Sequence, residues 1–484
     1  MASLYVFLTS VSYHLTARHR RLLADTVTPV GLYLRLRDQY ANCLLLESAD
    51  YHGQQNAFSY LVCEPLGTFE LRRGGELRQS FPDGRNSQVA LSAPRQALDE
   101  LRQFAAAFVP DAAAPKMPFI STGLFGYMGY EAVQSFEDVA FDAAKVPAGD
   151  VPLIRYGVYR YVIAFNHFRQ ELYLFEHSVA GQVTETDGLD RLENLVRNPS
   201  VPVFQFATVG EEVSNQTDSE FLVRLAQGQA HCLRGDVFQI VLSRRFQQGF
   251  SGDEFNVYRA LRSINPSPYL FYFDYGDYKI FGSSPEAQVL VQGREASLYP
   301  IAGTYRRTGD DAADAAAAQR LAADPKENAE HVMLVDLARN DLARHGTQVR
   351  VRTLREIQFY SHVIHLVSHV TAELDAGTDT LQVVADTFPA GTLSGAPKHR
   401  ALQLIDGLEP TARGYYGGCI GHLGFDGNFN HAIMIRSFLS TGNQLYFQAG
   451  AGVVAASSVQ SELEEVHHKL GALRAALQAA AGVG

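Results

Sequence analysis

Short strands broken by tight turns fill residues 1–200, and this pattern restricts the fold more than any other feature of the chain. Tyr156 to Phe165 and Gln170 to His177 flank Asn166-His167 and read as a hairpin. Ala41 to Ser48 is a buried strand that ends in polar Glu47-Ser48. Thr68 to Arg73 alternates, with Phe69 and Leu71 on one face, and runs into a Gly74-Gly75 turn. One helix, Pro94 to Phe108, interrupts the series, and the small polar stretch Asp142 to Asp150 is a loop.

The pattern changes after Asn198 to Asp218, a segment mixing Pro, Val, Ser, Asn and Thr, which places a domain boundary there. The expected domains are 1–200 and 215–484. Beyond the boundary come a helix at Ser219 to Arg234, a strand at Val237 to Phe246 and a helix near Phe255 to Ser263. Strands follow around Tyr269 to Phe273 and Lys279 to Ser283, then an acidic helix from Pro325, and finally a helix at Ser461 to Ala480. Long antiparallel strands with helices interspersed predict an α+β (mixed α/β) protein, its large sheets covered by helices.

Composition narrows the function. The 484 residues suit two or more domains or one large composite one, and 46% hydrophobic with 19% charged residues is globular. A net charge of −11 argues against general affinity for nucleic acid or anionic lipid. Cys43, Cys63, Cys232 and Cys419 are scattered without a CxxC spacing, so neither zinc nor a disulfide framework is expected. No apolar run approaches the ~20 residues of a membrane span. Met1 to Ser10 lacks the basic start of a signal peptide, so the cytoplasm is the expected location.

Two segments place carboxylates on one helix face. In Asp324 to Leu337, Glu327 and Glu330 are three apart, at the edge of a stripe that continues into Leu334 and Leu337. In Ser461 to Lys469, Glu462, Glu465 and Lys469 share a face. A half-buried carboxylate needs a partner charge or a metal. A carboxylate cluster without Cys or His ligands suits a hard ion, Mg²⁺ before Zn²⁺. Taken alone, such acid pairs describe solvated faces more often than metal sites.

Four glycine-bearing segments permit close backbone approach to an anion: Pro300 to Thr304 after a strand, Gly391 to Lys398 before the helix His399 to Ile405, Arg413 to Gly418 opening a strand, and Gln448 to Gly452 ending one. Each is by itself an ordinary tight turn more often than a site. Gly391 to Lys398 lacks the spacing of a phosphate-binding P-loop. Arg436, placed late in a strand Ala432 to Arg436, can offer a bidentate fork. In the strand from Tyr360 to His369, His365 and His369 share a face with Val363 and Val367, opposite Ile364 and Leu366.

From about residue 218 to 480 the chain resembles the chorismate-utilising enzymes and, within them, the anthranilate synthase component I branch. The resemblance rests on Phe238 to Arg244, Asn265 to Phe271, Ser284-Pro285-Glu286, Pro300 to Thr304 and Glu327 to Asp341. It continues through Ser361 to Ser368, Gly391 to Lys398, Arg413 to Gly418, Ile435-Arg436-Ser437 and Gln448 to Gly452. Residues 1–200 match more loosely, through Leu45 to Ser48 and Gly123 to Glu131.

The resemblance implies a two-subdomain sandwich and a dicarboxylate substrate, chorismate. Glu330 and Glu465 would hold Mg²⁺ with Glu462 in support. Glu327 would protonate the leaving hydroxyl, His365 would assist ring chemistry and pyruvate elimination, and Thr392 and Lys469 complete the catalytic set. Gly303, Thr304 and Thr392 would flank the ring carboxylate, and Tyr416, Arg436, Gly450 and Gly452 would hold the enolpyruvyl carboxylate. Lysine replaces Ala302 in aminodeoxychorismate synthases and Gln239 in isochorismate and salicylate synthases, so Ala302 and Gln239 imply direct attack by ammonia at C2. Aminodeoxychorismate synthase component I remains the nearest alternative, and a non-catalytic tryptophan-sensing subunit the alternative of another class.

Glu47 and Ser48, with Pro268, Tyr269 and Leu270, resemble a feedback site for L-tryptophan. The chain departs from the family at Tyr305 to Gly309, at His422, where a tyrosine often lines the tryptophan pocket, and at Ala456. Nothing in it resembles a glutamine amidotransferase, so a separate glutaminase subunit (component II) and a hetero-oligomer are implied. Alone, the chain would use free ammonia.

Overall fold

The computed structural model describes residues 11–48, 57–182, 187–360 and 363–483, except the side chains of Thr304 and Arg306. Met1 to Ser10, Ser361, His362 and the Thr304 side chain, all part of the sequence reading, lie outside that set.

Two long strands, Phe58–Leu71 and Ile154–Asn166, pair antiparallel, and two arms of antiparallel ladder run out from them. One arm passes through Gly123–Met128, Cys419–Gly424, Phe429–Ile433, Ala287–Gln292 and Glu295–Leu298 to Val363–Leu374. That last strand is flanked by Ile301–Arg306 and Gly346–Phe359. The other arm passes through Leu44–Glu47, Tyr269–Asp274, Tyr278–Ser284, Ser437–Thr441 and Gln444–Val454 to Gln239–Gly252. Strands from both parts of the chain therefore share one ladder: Leu44–Glu47 bonds Tyr269–Asp274, and Gly123–Met128 bonds Cys419–Gly424. The expected mixed architecture of large antiparallel sheets covered by helices is what the chain forms.

Two helices bring the ends of the arms together. The acidic helix, Pro325–Ala343, starts where Asp324 accepts hydrogen bonds from the Lys326 and Glu327 amides at 2.9 and 3.2 Å, with Pro325 in its first turn. It buries His331, Leu334, Val335, Ala338 and Leu342 against Ile301–Arg306, Gly346–Phe359 and Val363–Leu374. The closing helix, Val459–Ala479, buries Leu463, Val466, Leu470, Leu473 and Ala476 against Gln444–Val454 and the helices Asp218–Arg234 and Phe255–Ile264. Each fully buried leucine contributes roughly 1.5–3 kcal/mol. The apolar stripes thus anchor both helices, and their carboxylates are carried to the gap between the arms.

Residues 198–218, where the sequence places a domain boundary, carry the strand Phe206–Ser214, which pairs with Gln239–Gly252. Two local expectations change. Residues 448–452 lie inside the strand Gln444–Val454 rather than at its end, because the partner strand Gln239–Gly252 pairs with all of it. Arg436 lies between the strands Phe429–Ile433 and Ser437–Thr441, with φ +50°, not within a strand. A non-glycine residue in that left-handed region stores backbone strain, and such strain collects at functional positions.

Candidate active site

The site is assembled from the two arm ends and the two helices. Gln239 and Gly452, two positions apart in register on paired strands, approach the acidic helix, and Gln239 Nε2 donates to Glu330 Oε1 at 2.7 Å. A Cβ on Gly452 would lie 2.5 Å from Gln239 Nε2 and 3.5 Å from Glu330 Oε1, so a side chain here would displace the Gln239 amide from its place on the carboxylate. Gly303, φ +66°, plays the matching part on the other arm, where a Cβ would meet Leu321 at 2.6 Å and Glu327 Oε2 at 3.2 Å.

Four carboxylates and two lysines share this gap. Burial, then the neighbouring Glu330, raises the Glu327 carboxyl above its ordinary range. Burial, then Glu465, does the same to Glu330, opposed by the Gln239 hydrogen bond. Glu462 is raised by burial and by Glu465. Burial also works to raise Glu465, but Lys469, 2.6 Å away, outweighs it and holds that carboxyl low. Lys326 lies 3.6 Å from Glu462. Burial lowers Lys326, yet the carboxylates Glu462, Glu327, Glu330 and Glu465 together keep it above its ordinary value. Lys469 Nζ also donates to the Gly450 carbonyl at 2.8 Å.

Mutual repulsion of this kind is relieved by a cation. The all-oxygen donor set of Glu330, Glu465 and Glu462 has the chemistry for a hard divalent ion. Among the described residues no three His, Cys, Asp or Glu side chains already stand grouped as a metal shell. Gln239, Lys469 and Lys326 each hold one of these carboxylates instead.

His365 is buried and donates from Nδ1 to the Gly303 carbonyl at 2.8 Å. Burial pushes it down to about 4, so it is neutral, with its proton on Nδ1 and its lone pair on Nε2. Thr392 lies in the turn Gly391–Leu393, packed on the acidic helix, and its hydroxyl donates to both oxygens of Glu286 at 3.1 and 3.2 Å. Glu286 has no assigned role in the sequence reading. Burial raises it to about 8, against the pull of Thr392 and Lys469. It lines a cavity of about 40 Å³ with Thr392, Pro300 and Leu337. A second unassigned group is Lys326, which sits among all four acids. Glu286 lies in Ser284-Pro285-Glu286 and Lys326 in Asp324 to Leu337, but only burial and neighbours reveal them.

Tyr416 is buried, hydrogen-bonded to the Gly450 backbone, and influenced by Arg436. Arg436 Nη1 donates to the Lys469 carbonyl at 2.9 Å, which ties it to the closing helix. Ala302 is buried and pairs with Leu366. A carboxyl that holds its proton, a neutral imidazole, carboxylates for a cation, and an arginine beside a tyrosine suit elimination chemistry on a dicarboxylate.

The second predicted group also comes together. Glu47 pairs with Leu270 across the ladder, and Leu46 and Tyr269 pack on one cluster with Phe119 and Tyr173. Glu47 is already engaged, accepting from Tyr258 Oη at 2.6 Å and Arg262 Nε at 2.9 Å. Ser48 and Pro268 are half-buried. His422 faces Tyr60 edge-on at 5.6 Å, and burial lowers it to about 4, leaving it neutral.

The chain belongs to the chorismate binding enzymes, a family that matches residues 49–475. It is 35% identical to anthranilate synthase component 1 of Aquifex aeolicus (strain VF5), over 97% of this chain and 96% of that one. It is 36% identical to anthranilate synthase component 1 of Bacillus caldotenax, over 95% and 93% of the two chains. The solved structure of anthranilate synthase component I from Streptococcus pneumoniae TIGR4 superposes with a TM-score of 0.76 at 30% identity, covering 94% of this chain and 99% of that one.

Proposed function

We propose that this chain is the chorismate-aminating component of an anthranilate synthase. It adds ammonia at ring C2, expels the ring hydroxyl and eliminates pyruvate to give anthranilate, a lyase step that opens tryptophan biosynthesis in the cytoplasm. The observation that carries this reading is the chemistry at the two specificity positions. The Gln239 amide is committed to Glu330, and Ala302 is a buried methyl group. Neither offers the lysine nitrogen that activates water or attacks the ring, so ammonia remains as the nucleophile.

The other groups follow from their protonation states. Glu286, held near 8, keeps its proton at neutral pH and donates it to the leaving hydroxyl, a role the resemblance gives to Glu327. Neutral His365 accepts a proton at Nε2 during aromatisation. Tyr416 and Arg436 bind the enolpyruvyl carboxylate, with the Gly450 and Gly452 backbone beside them. Glu330, Glu465 and Glu462 would hold Mg²⁺, with Lys469 and Lys326 balancing charge. When bound, Mg²⁺ neutralises and anchors the ring carboxylate. The relatives are named as component 1, which supports a partner component, here a glutamine amidotransferase subunit supplying ammonia.

The test is product separation after incubating the purified chain with chorismate, Mg²⁺ and ammonium at mildly alkaline pH. Anthranilate is expected; 4-amino-4-deoxychorismate or isochorismate as the main product overturns the reading. In the same assay, Gln239→Lys is expected to divert a detectable share of product to isochorismate, since a lysine in a desolvated pocket can act as a base. A complete absence of isochorismate removes Gln239 as a sufficient determinant.

L-Tryptophan is the proposed inhibitor, bound between Glu47-Ser48 and Pro268 to Leu270. Its amino group would share Glu47 with Arg262 and Tyr258, and its indole would lie against Pro268 and Leu270. Tyr269 pairs with Ser284, two residues before Glu286, so a shift of this strand has a short route to the proton donor. Inhibition requires that tryptophan bind one arrangement better than another. Ser48→Ala is expected to relieve inhibition with little loss of uninhibited rate. If millimolar tryptophan neither inhibits nor raises the melting temperature, the site is not a tryptophan site.

A further inference from the structure

We infer that Glu131, in the N-terminal part of the chain, is a positioning residue for the substrate-carboxylate loop that carries Tyr416. The inference rests on the reading above that Tyr416 binds a carboxylate of the substrate. Glu131 is buried in the short turn Tyr130–Ser135 that follows the strand Gly123–Met128. Its Oε1 accepts the Arg413 amide at 2.8 Å and its Oε2 accepts the Gly414 amide at 2.9 Å. The neighbouring Tyr130 amide donates back to the Gly414 carbonyl at 2.8 Å. Both carboxylate oxygens and one amide of a single turn therefore clamp the backbone two residues before Tyr416.

The clamp is part of a continuous polar network beneath the site. The Arg413 side chain is almost wholly enclosed, with Nη1 donating to the Leu393 carbonyl at 2.6 Å and Nη2 to the Val241 carbonyl at 2.7 Å. Its Nε and Nη2 also bind Glu409 at 2.9 and 2.6 Å. Leu393 follows Thr392, and Val241 lies two residues after Gln239. One guanidinium thus fixes the turn of Thr392, the strand of Gln239 and, through its own backbone and Glu131, the loop of Tyr416. Gly414, φ +65°, and Gly417, φ +79°, give that loop a left-handed course that its backbone amides must be held to, and Glu131 holds two of them beside the anchors of the Arg413 and Tyr415 side chains. Burial pushes the Glu131 carboxyl up to about 7, against the pull of the Arg413 and Gly414 amides. A buried carboxylate that spends its oxygens on two backbone amides is costly to place and strongly oriented.

The chemistry separates a positioning role from a merely structural one. Glu131→Gln keeps size and shape but turns an amide NH₂ toward a backbone N–H, which forces one bond open and moves the loop. Steady-state kinetics on the full chain with Mg²⁺, ammonium and chorismate compare Glu131→Gln, Tyr416→Phe and the double variant. Glu131→Gln is expected to raise KM for chorismate about tenfold, with kcat within about twofold. The double variant is expected to be no worse than Tyr416→Phe, because Glu131 acts through that side chain. If Tyr416→Phe raises KM and Glu131→Gln does not, or if the two effects multiply, the inference is overturned while the functional reading stands. If Tyr416→Phe leaves KM unchanged, the assignment of Tyr416 fails, and the inference with it. Should Glu131→Gln not fold, Gly414→Ala perturbs the same loop, because a Cβ is strained at this left-handed backbone position and meets Pro147 at 3.2 Å. The same KM rise is expected there, and its absence overturns the inference.

Discussion

Glu330→Gln and Glu465→Gln are each expected to reduce turnover at least about a hundredfold, the upper end of the loss seen for groups that only support a metal. The reason is electrostatic. Glu327, Glu330, Glu462 and Glu465 occupy one gap, and burial and mutual repulsion raise three of them. The three proposed ligands are held by Gln239, Lys469 and Lys326, and each substitution removes one unit of the charge that would draw in a divalent cation. The fold should survive, because both side chains project from helices anchored by Leu334, Val466 and Leu470 rather than by the acids. Two measurements check this. Activity with ammonia reads the loss of function, and the rise in melting temperature on adding Mg²⁺ reads binding independently of turnover. Wild-type protein is expected to show that rise and both variants to lose most of it. Undiminished activity in either variant would sink the metal assignment.

Glu286→Gln is expected to lower kcat by about 10²–10⁴, the range for losing a positioned general acid. The carboxyl is buried, accepts both bonds from the Thr392 hydroxyl, and is raised to about 8. A donor must carry its proton, so activity attributed to this group should be full below pH 8 and fall as pH rises through about 8. The glutamine variant retains shape and the Thr392 contact but has no proton to give, and its residual rate should lack that alkaline limb. Glu327→Gln is the comparison. Glu327 is also raised, by burial and by Glu330, but it is only half-buried. If Glu327→Gln costs more than Glu286→Gln and alone removes the alkaline limb, the proton comes from Glu327.

Residue type and spacing made much of the site legible. The groups Glu327/Glu330 and Glu462/Glu465/Lys469 are readable because a helix repeats every three to four residues, whereas the approach of the two groups to each other comes from the packing of their helices. The register that sets Glu47 against Leu270 joins two motifs more than two hundred residues apart in sequence, yet each could be identified separately by resemblance. Arg436 shows the opposite case. Its sequence reads as a strand, but it leaves the strand at φ +50° so that its guanidinium reaches the closing helix. Local propensity carries no information about that demand. Residues 448–452 were readable as a glycine-rich strand end, whereas the ladder continues past them because the partner strand Gln239–Gly252 supplies bonds along their whole length.

Sequence alone determined the kinds of groups available: paired carboxylates, Lys469 on the face of one pair, a histidine, glycines that permit close approach, and no lysine at Gln239 or Ala302. Each depends only on side-chain chemistry or on a period of two or three to four residues. Tertiary structure decided which of those groups act together and in what protonation state. Glu286 becomes an acid near 8 only because strand and turn enclose it with Thr392, and Lys326 becomes the centre of four acids only because two distant helices meet. Glu131 reaches the Tyr416 loop only because a strand from the N-terminal part pairs beside Cys419–Gly424. Proton affinity and positioning depend on burial and through-space neighbours, and these arise from contacts that no local stretch of sequence encodes.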